Sequence, residues 1–334
     1  MEDEKMEKNR TLTWADISKY RNELMAIGIL SVVALHIFEN LSSIKPSIVY
    51  KIYFGSVGSV GVDLFLFLSG FGVYYSLSRQ PYSLAFYKKR LKRVLLPYLI
   101  IGFLYWVIKD FLVSHTNVGR FLYDWSLISF WTEGLRTFWY ITIIIILYFI
   151  SPFVFQLNMR AFVLLNCIVI AACVVVYFID PTYFTKIEIA ILRINVFLFG
   201  LWGGKLAKQG KRVSNKLLAI LILSIPIKIL AGLKEFSFAR LFNAYYAVFL
   251  ILFYVFLRKK ILKQEKFFKA ISLIGNYTLE LYLTHVSLRS LIMPMNLGIN
   301  ALYKCLVWVV LSVPMTYIFS LINKHLSRGR KKHT

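Results

Sequence analysis

The segment ELMAIGILSVVALHIFEN, residues 23–40, is apolar over most of its length yet carries His36 and Glu39 near its end. On a helix these two stand three residues apart, on one face and within reach of each other. A carboxylate beside an imidazole fixes its tautomer and raises its basicity, as the orienting group of a catalytic base does. The same spacing suits a histidine simply hydrogen-bonded inside a helix bundle, and spacing alone leaves both readings open. Asp63 is the second candidate carboxylate for that histidine. It lies in GSVGVDLFLFLSGFGVYYSLSRQ, on a surface whose glycines at 55, 58, 61, 70 and 72 let helix backbones approach closely or break. A third group is basic: Arg90 and Arg93, with Lys89 beside them, open an apolar run. Paired guanidiniums suit bidentate binding of phosphate, although a plain basic anchor at a membrane edge has the same composition. Further on, IGNYTLELYLTHVSL at 274–288 holds Glu280 and His285, five residues apart and so on different faces of a helix.

These residues must be positioned by a bilayer protein. Of 334 residues 58% are hydrophobic and the mean hydropathy is +0.65, above the 45–50% apolar usage of soluble domains. Apolar runs predict a polytopic all-α bundle of about ten spans, near 24–41, 54–77, 93–113, 138–156, 161–179, 188–204, 214–231, 239–257, 271–292 and 300–322. The second, rich in glycine, reads as broken or shallow. The net charge of +24 is not that of a nucleic-acid binder, because the basic residues fall in blocks at every second loop. With the N-terminus in the cytoplasm, 28 of the 40 Lys and Arg lie on the inner side, which predicts both termini cytoplasmic. The charged start MEDEKMEKNR and the full-length first run predict no cleavable signal peptide.

No second domain is expected, so residues 1–334 read as one membrane-embedded unit and any chemistry belongs to the bundle or its mouths. Cys167, Cys173 and Cys305 sit inside apolar runs without metal-ligand spacing, and the histidines are scattered, so no metal is expected. Ionisable groups inside spans are costly and mark function by default. Arg193 and Lys228 lie close to predicted span ends, where snorkelling accounts for them, and for Arg289 less comfortably. His36 does not fit that explanation. Twelve residues of helix rise from Leu24 place it roughly 18 Å along the span, in the outer half of the membrane.

Taken in order, ILSVVALH, GVDLFLFLSGF, FYKKRLKRVLLPY, FWYI and IGNYTLELYLTH resemble the membrane-bound acyltransferase 3 family over residues 21 to 288. The resemblance implies a single-domain bacterial O-acyltransferase of the cytoplasmic membrane. It implies an acyl-CoA donor, acetyl-CoA by default, and an extracytoplasmic carbohydrate acceptor such as an envelope polysaccharide or lipid-linked sugar. His36 matches the family's histidine base, and Arg90 and Arg93 match the RxxR of its coenzyme side. Beside that match, Glu39 or Asp63 is the candidate to hold the histidine and Lys89 a further contact for the donor's phosphates. One position departs. The family has arginine eleven residues before the histidine, and here that position is Met25. Arg21 lies one turn earlier, and Glu23 is a candidate for a rearranged inner site. A polysaccharide or small-molecule exporter of the same architecture is the rival expectation, and an inactive scaffold a weaker one. The acyl group, the acceptor sugar and the oligomeric state are not written in the sequence.

Overall fold

Short polar residues stand where the apolar runs begin, and each caps a helix by accepting a backbone N–H left open in the first turn. Ser83, Asn117, Asn158, Asp180 and Ser214 accept from the amides of Phe86, Arg120, Ala161, Tyr183 and Leu217. Pro181, at the first position after Asp180, costs that helix no hydrogen bond. The computed structural model describes residues 12–41, 60–234 and 236–328. In chain order its helices are α1 (Asp16–Lys19), α2 (Arg21–Leu41), α3 (Gly61–Leu77), α4 (Leu84–Trp106), α5 (Val118–Trp125), α6 (Ile128–Glu133), α7 (Trp139–Val154), α8 (Met159–Ile179), α9 (Pro181–Ile191), α10 (Ile194–Lys208), α11 (Asn215–Leu233), α12 (Asn243–Lys260), α13 (Glu265–Gly275), α14 (Thr278–Ile292) and α15 (Ala301–Arg328). The described residues contain no strand, only an isolated bridge between Thr13 and Arg212.

The chain is thus all-α, as expected. Among the described residues, seven helical stretches are long and apolar enough to cross a membrane, and Gly61–Leu77 and Trp139–Val154 are shorter apolar helices. The predicted segments hold helices with three differences. The second starts at Gly61, and residues 54–59, with the glycines at 55 and 58, lie outside the described residues. The sixth begins at Pro181 and breaks between Ile191 and Ile194. The ninth is two helices, α13 and α14, parted at Asn276 and Tyr277.

Helix α3 runs through the centre, buried on nearly every side. It packs backbone to backbone against α10. A Cβ on Gly200 would lie 2.1 Å from the Phe67 carbonyl oxygen, and one on Gly70 would lie 2.2 Å from that of Phe197. Only glycine permits that approach, which in a bilayer replaces the missing hydrophobic drive with van der Waals contact.

At one end of this packing the first turns of α3, α10 and α12 converge on Asp63. Its carboxylate accepts from Arg193 Nε at 2.9 Å and from Asn243 Nδ2 at 2.7 Å, and it is wholly buried. These two side-chain donors stand where water would otherwise solvate the carboxylate. Snorkelling therefore does not describe Arg193. The break after α9 carries its guanidinium inward, 4% exposed, against Asp63 and the Trp139 ring. Lys228 is buried as well, at 3%, and donates to the Ala239 carbonyl. Breaking a buried pair strands one charge. Arg193→Met is expected to cost about 3–5 kcal/mol, seen as a lowered thermal midpoint in detergent by circular dichroism.

The opposite end, where α2 starts, is tied by a second network. Arg258 Nε donates to Glu23 at 2.7 Å, and the Tyr254 hydroxyl donates to the same carboxylate at 2.6 Å. Lys259 pairs with Asp16 at 3.1 Å. At the far end α5 and α6 are braced by Arg120, which bonds Asp124 and both oxygens of Glu133. Those bonds hold the Glu133 carboxyl below the usual carboxylate range.

Candidate functional site

Helix α2 presents Val32, Leu35, His36, Glu39 and Asn40 on one face, at the i, i+3, i+4, i+7 and i+8 positions of a single stripe. That stripe walls a cavity of about 550 Å³ at the end of the bundle away from Arg21. The other walls are Val62 of α3, Ile189 of α9, Tyr282, Val286, Arg289 and Ser290 of α14, and the approaches to α7, α10 and α12 through Thr137, Arg193 and Arg240. Val62 near the start of α3, Arg193 just before α10 and Arg240 just before α12 thus share this cavity with His36.

His36 is held from two sides. Its Nδ1 lies 2.7 Å from Glu39 Oε2 and 2.8 Å from Arg289 Nη1, while Arg289 Nη2 lies 2.8 Å from the same Glu39 oxygen. An arginine only donates, so Nδ1 cannot both accept from Arg289 and donate to Glu39. When Nδ1–H donates to Glu39, Arg289 is satisfied by that carboxylate and Nε2 keeps its lone pair. In that tautomer the lone pair on Nε2 is free to accept a proton; in the reverse one the lone pair, on Nδ1, is taken by Arg289. The His285 ring stands 5.5 Å from that of His36, wholly buried, with Nδ1–H donating to the Leu281 carbonyl at 2.7 Å.

A second cavity, about 50 Å³, lies toward the end where α2 starts. Arg21, Arg90 and Arg93 line it with Met25, Ser69, Tyr140 and Tyr148, and no carboxylate is among its described walls. Arg90 Nη2 donates to the Gly72 carbonyl at 2.6 Å, while its Nε is buried without a hydrogen-bond partner among the described residues. Three guanidiniums facing one space fit a polyanion. Arg90 also lines a wider mouth of about 490 Å³ with Lys89, Arg79 and Gln80. Tyr282 borders both the first and second cavities, and its ring packs edge-on against Tyr140 with centroids 5.5 Å apart. The three spaces therefore adjoin in series, with Arg90 between the mouth and the second cavity and Tyr282 between the second and the first.

The structure brings His36 and Glu39 together, as their spacing predicts. Asp63 is committed instead to Arg193 and Asn243, so between the two carboxylates it is Glu39 that bonds the histidine. Arg90, Arg93 and Lys89 gather near Arg21, with Lys89 at the mouth rather than in the inner cavity. Glu23 is taken up by Arg258, and Glu280 accepts from Asn323 at 3.0 Å, away from His36. Snorkelling, the sequence-based expectation for Arg289, misses its place at the histidine. Tyr282, His285 and Arg289 fall at i, i+3 and i+7 of α14, a one-face signal that joins Arg289 to the histidines. Nothing local marks Arg136 or Arg240 as cavity residues.

Residues 24–323 fit the family model described as an acyltransferase domain. No curated protein and no solved structure matches the chain.

Proposed function

The chain belongs to the membrane-bound acyltransferase 3 family, and from that premise we propose that it moves an acyl group from cytoplasmic acyl-CoA to a carbohydrate hydroxyl outside the membrane. Acetyl is the family's default group, and the setting is the bacterial cytoplasmic membrane with envelope glycans or lipid-linked sugars as acceptors. The observation that carries this reading is the sequence of spaces. An arginine-lined mouth and inner cavity open toward the basic end, a histidine-bearing cavity opens at the other end, and Tyr282 stands between them.

The acceptor hydroxyl enters the outer cavity and gives its proton to His36 Nε2 as its oxygen attacks the acyl carbonyl. A C–O bond forms, the C–S bond of the donor breaks, and His36 passes the proton to the departing sulfur. Glu39 keeps Nδ1 protonated throughout and stabilises the imidazolium, while Arg289, bonded to the same carboxylate oxygen, holds Glu39 in place. The donor supplies the acyl group as a thioester. Arg21, Arg90 and Arg93, with Lys89 at the entrance, bind its phosphates. Tyr282 and Tyr140 form the collar through which the donor's thioester-bearing pantetheine arm passes, and they must part for it.

Proton NMR of envelope glycans from cells with and without the protein tests the reading. An O-acyl signal that requires the protein supports it. Unaltered acylation with glycan retained inside cells lacking the protein would instead identify an exporter. Glu39→Gln keeps an acceptor for Nδ1 but removes the charge. Acyl transfer to glycan in membrane vesicles is expected to fall at least about tenfold, the rate equivalent of one charged hydrogen bond.

A further inference from the structure

The outer cavity carries an excess of fixed positive charge. Arg136, Arg193, Arg240 and Arg289 line it, and among the described residues Glu39 is the one carboxylate in its wall. Two of the four arginines have carboxylates of their own, Arg193 with Asp63 and Arg289 with Glu39. The other two share one. Glu188 accepts from Arg240 Nη1 and stands 3.7 Å from Arg136 Nη2, which also donates to the Thr185 carbonyl. Buried Lys228, donating to the backbone beside Arg240, adds another cation. Among the described residues, five cations thus meet three carboxylates around one cavity.

This excess lies at the end of the bundle where membrane topology disfavours arginine, since the basic blocks mark the other side. Packing does not call for it either, because Arg136 and Arg240 keep 43% and 31% of their side chains exposed. What two such guanidiniums recognise is an anion with several acceptor oxygens. They come from the approaches to α7 and α12, whereas His36 and Arg289 come from α2 and α14, so an anion held by the first pair leaves the histidine free for a hydroxyl.

We propose that Arg136 and Arg240 form a subsite for an anionic group, a carboxylate or a phosphate, on the carbohydrate acceptor. The proposal rests on the acyltransferase reading for the word acceptor, but its physical content is binding and is tested without any transfer. Purified protein in nanodiscs of zwitterionic lipid is titrated with methyl glucuronide, glucose 1-phosphate and methyl glucoside, and dissociation constants are measured by ligand-detected NMR. At least one anionic sugar is expected to bind about tenfold or more tightly than the neutral one, and which of the two does so separates carboxylate from phosphate. The double variant Arg136→Gln, Arg240→Gln is expected to bring anionic and neutral sugars near parity. The same measurement on this variant separates the subsite from the inner arginine cavity, which remains intact.

Glu188→Gln guards against a double variant that fails to fold. Removing the competing carboxylate is expected to tighten anionic binding, whereas a merely structural trio would lose it. Equal binding of the neutral sugar, absence of binding by either anion, an undiminished preference in the double variant, or weaker anionic binding in Glu188→Gln would each overturn the subsite. If transfer to glycan is found while anionic and neutral sugars bind alike, the enzyme reading stands and this proposal falls. If anionic preference appears without any transfer, the reverse holds.

Discussion

Replacing His36 by alanine is expected to abolish measurable acyl transfer while the protein still inserts and folds. A positioned base contributes about 10²–10⁴-fold, and here the loss should lie at the upper end. The neighbouring side chains offer no substitute. His285 is wholly buried with its Nδ1–H committed to the Leu281 carbonyl, and Glu39 without His36 stays bonded to Arg289. Folding should survive because His36 lines a cavity rather than the packed centre that α3 and α10 build. The checks are O-acyl signals in glycan NMR, membrane yield and thermal midpoint, all measured on the same preparation. Transfer persisting at more than about a tenth of wild type would remove His36 from the chemistry, whatever the geometry around it.

The pairing at His36 is legible in the sequence because it is local. Three residues on one helix fix the distance between His36 and Glu39 without help from the fold. The third member is not, since Arg289 reaches the pair across 253 residues of chain. The helical character of the spans is equally legible, because apolar length is a property of each segment alone. Where a helix breaks inside the bundle is a different matter. Apolar runs carry no sign of the gap between Ile191 and Ile194, and that gap turns Arg193 from an edge residue into the partner of Asp63. The same break, and the turn that leads into α12, bring Arg193 and Arg240 to the outer cavity. Its arginines are therefore invisible in the sequence for the same reason that Asp63 looks available to His36. Both depend on how far each helix extends into the bundle, which packing decides.

The double variant Arg90→Ala, Arg93→Ala is expected to raise the KM for acyl-CoA by about a hundredfold, about tenfold for each charge-assisted bond to phosphate that the variant can no longer make. The rate at saturating donor should change much less. The reason is charge without compensation. Arg21, Arg90 and Arg93 face a space whose described walls hold no carboxylate, and the buried Arg90 Nε has no hydrogen-bond partner among the described residues. In a structure settled by its own contacts, such groups would be paired. Removing two like charges from one small cavity relieves mutual repulsion, so stability should hold or rise. This is the sign that distinguishes a binding role from a scaffolding one. Initial rates against acyl-CoA concentration in inside-out vesicles, together with the thermal midpoint, make the test. An unchanged KM would remove the pair from donor binding. A falling midpoint would show instead that the bond from Arg90 to the Gly72 carbonyl anchors α4 to α3 and is what the arginine is for.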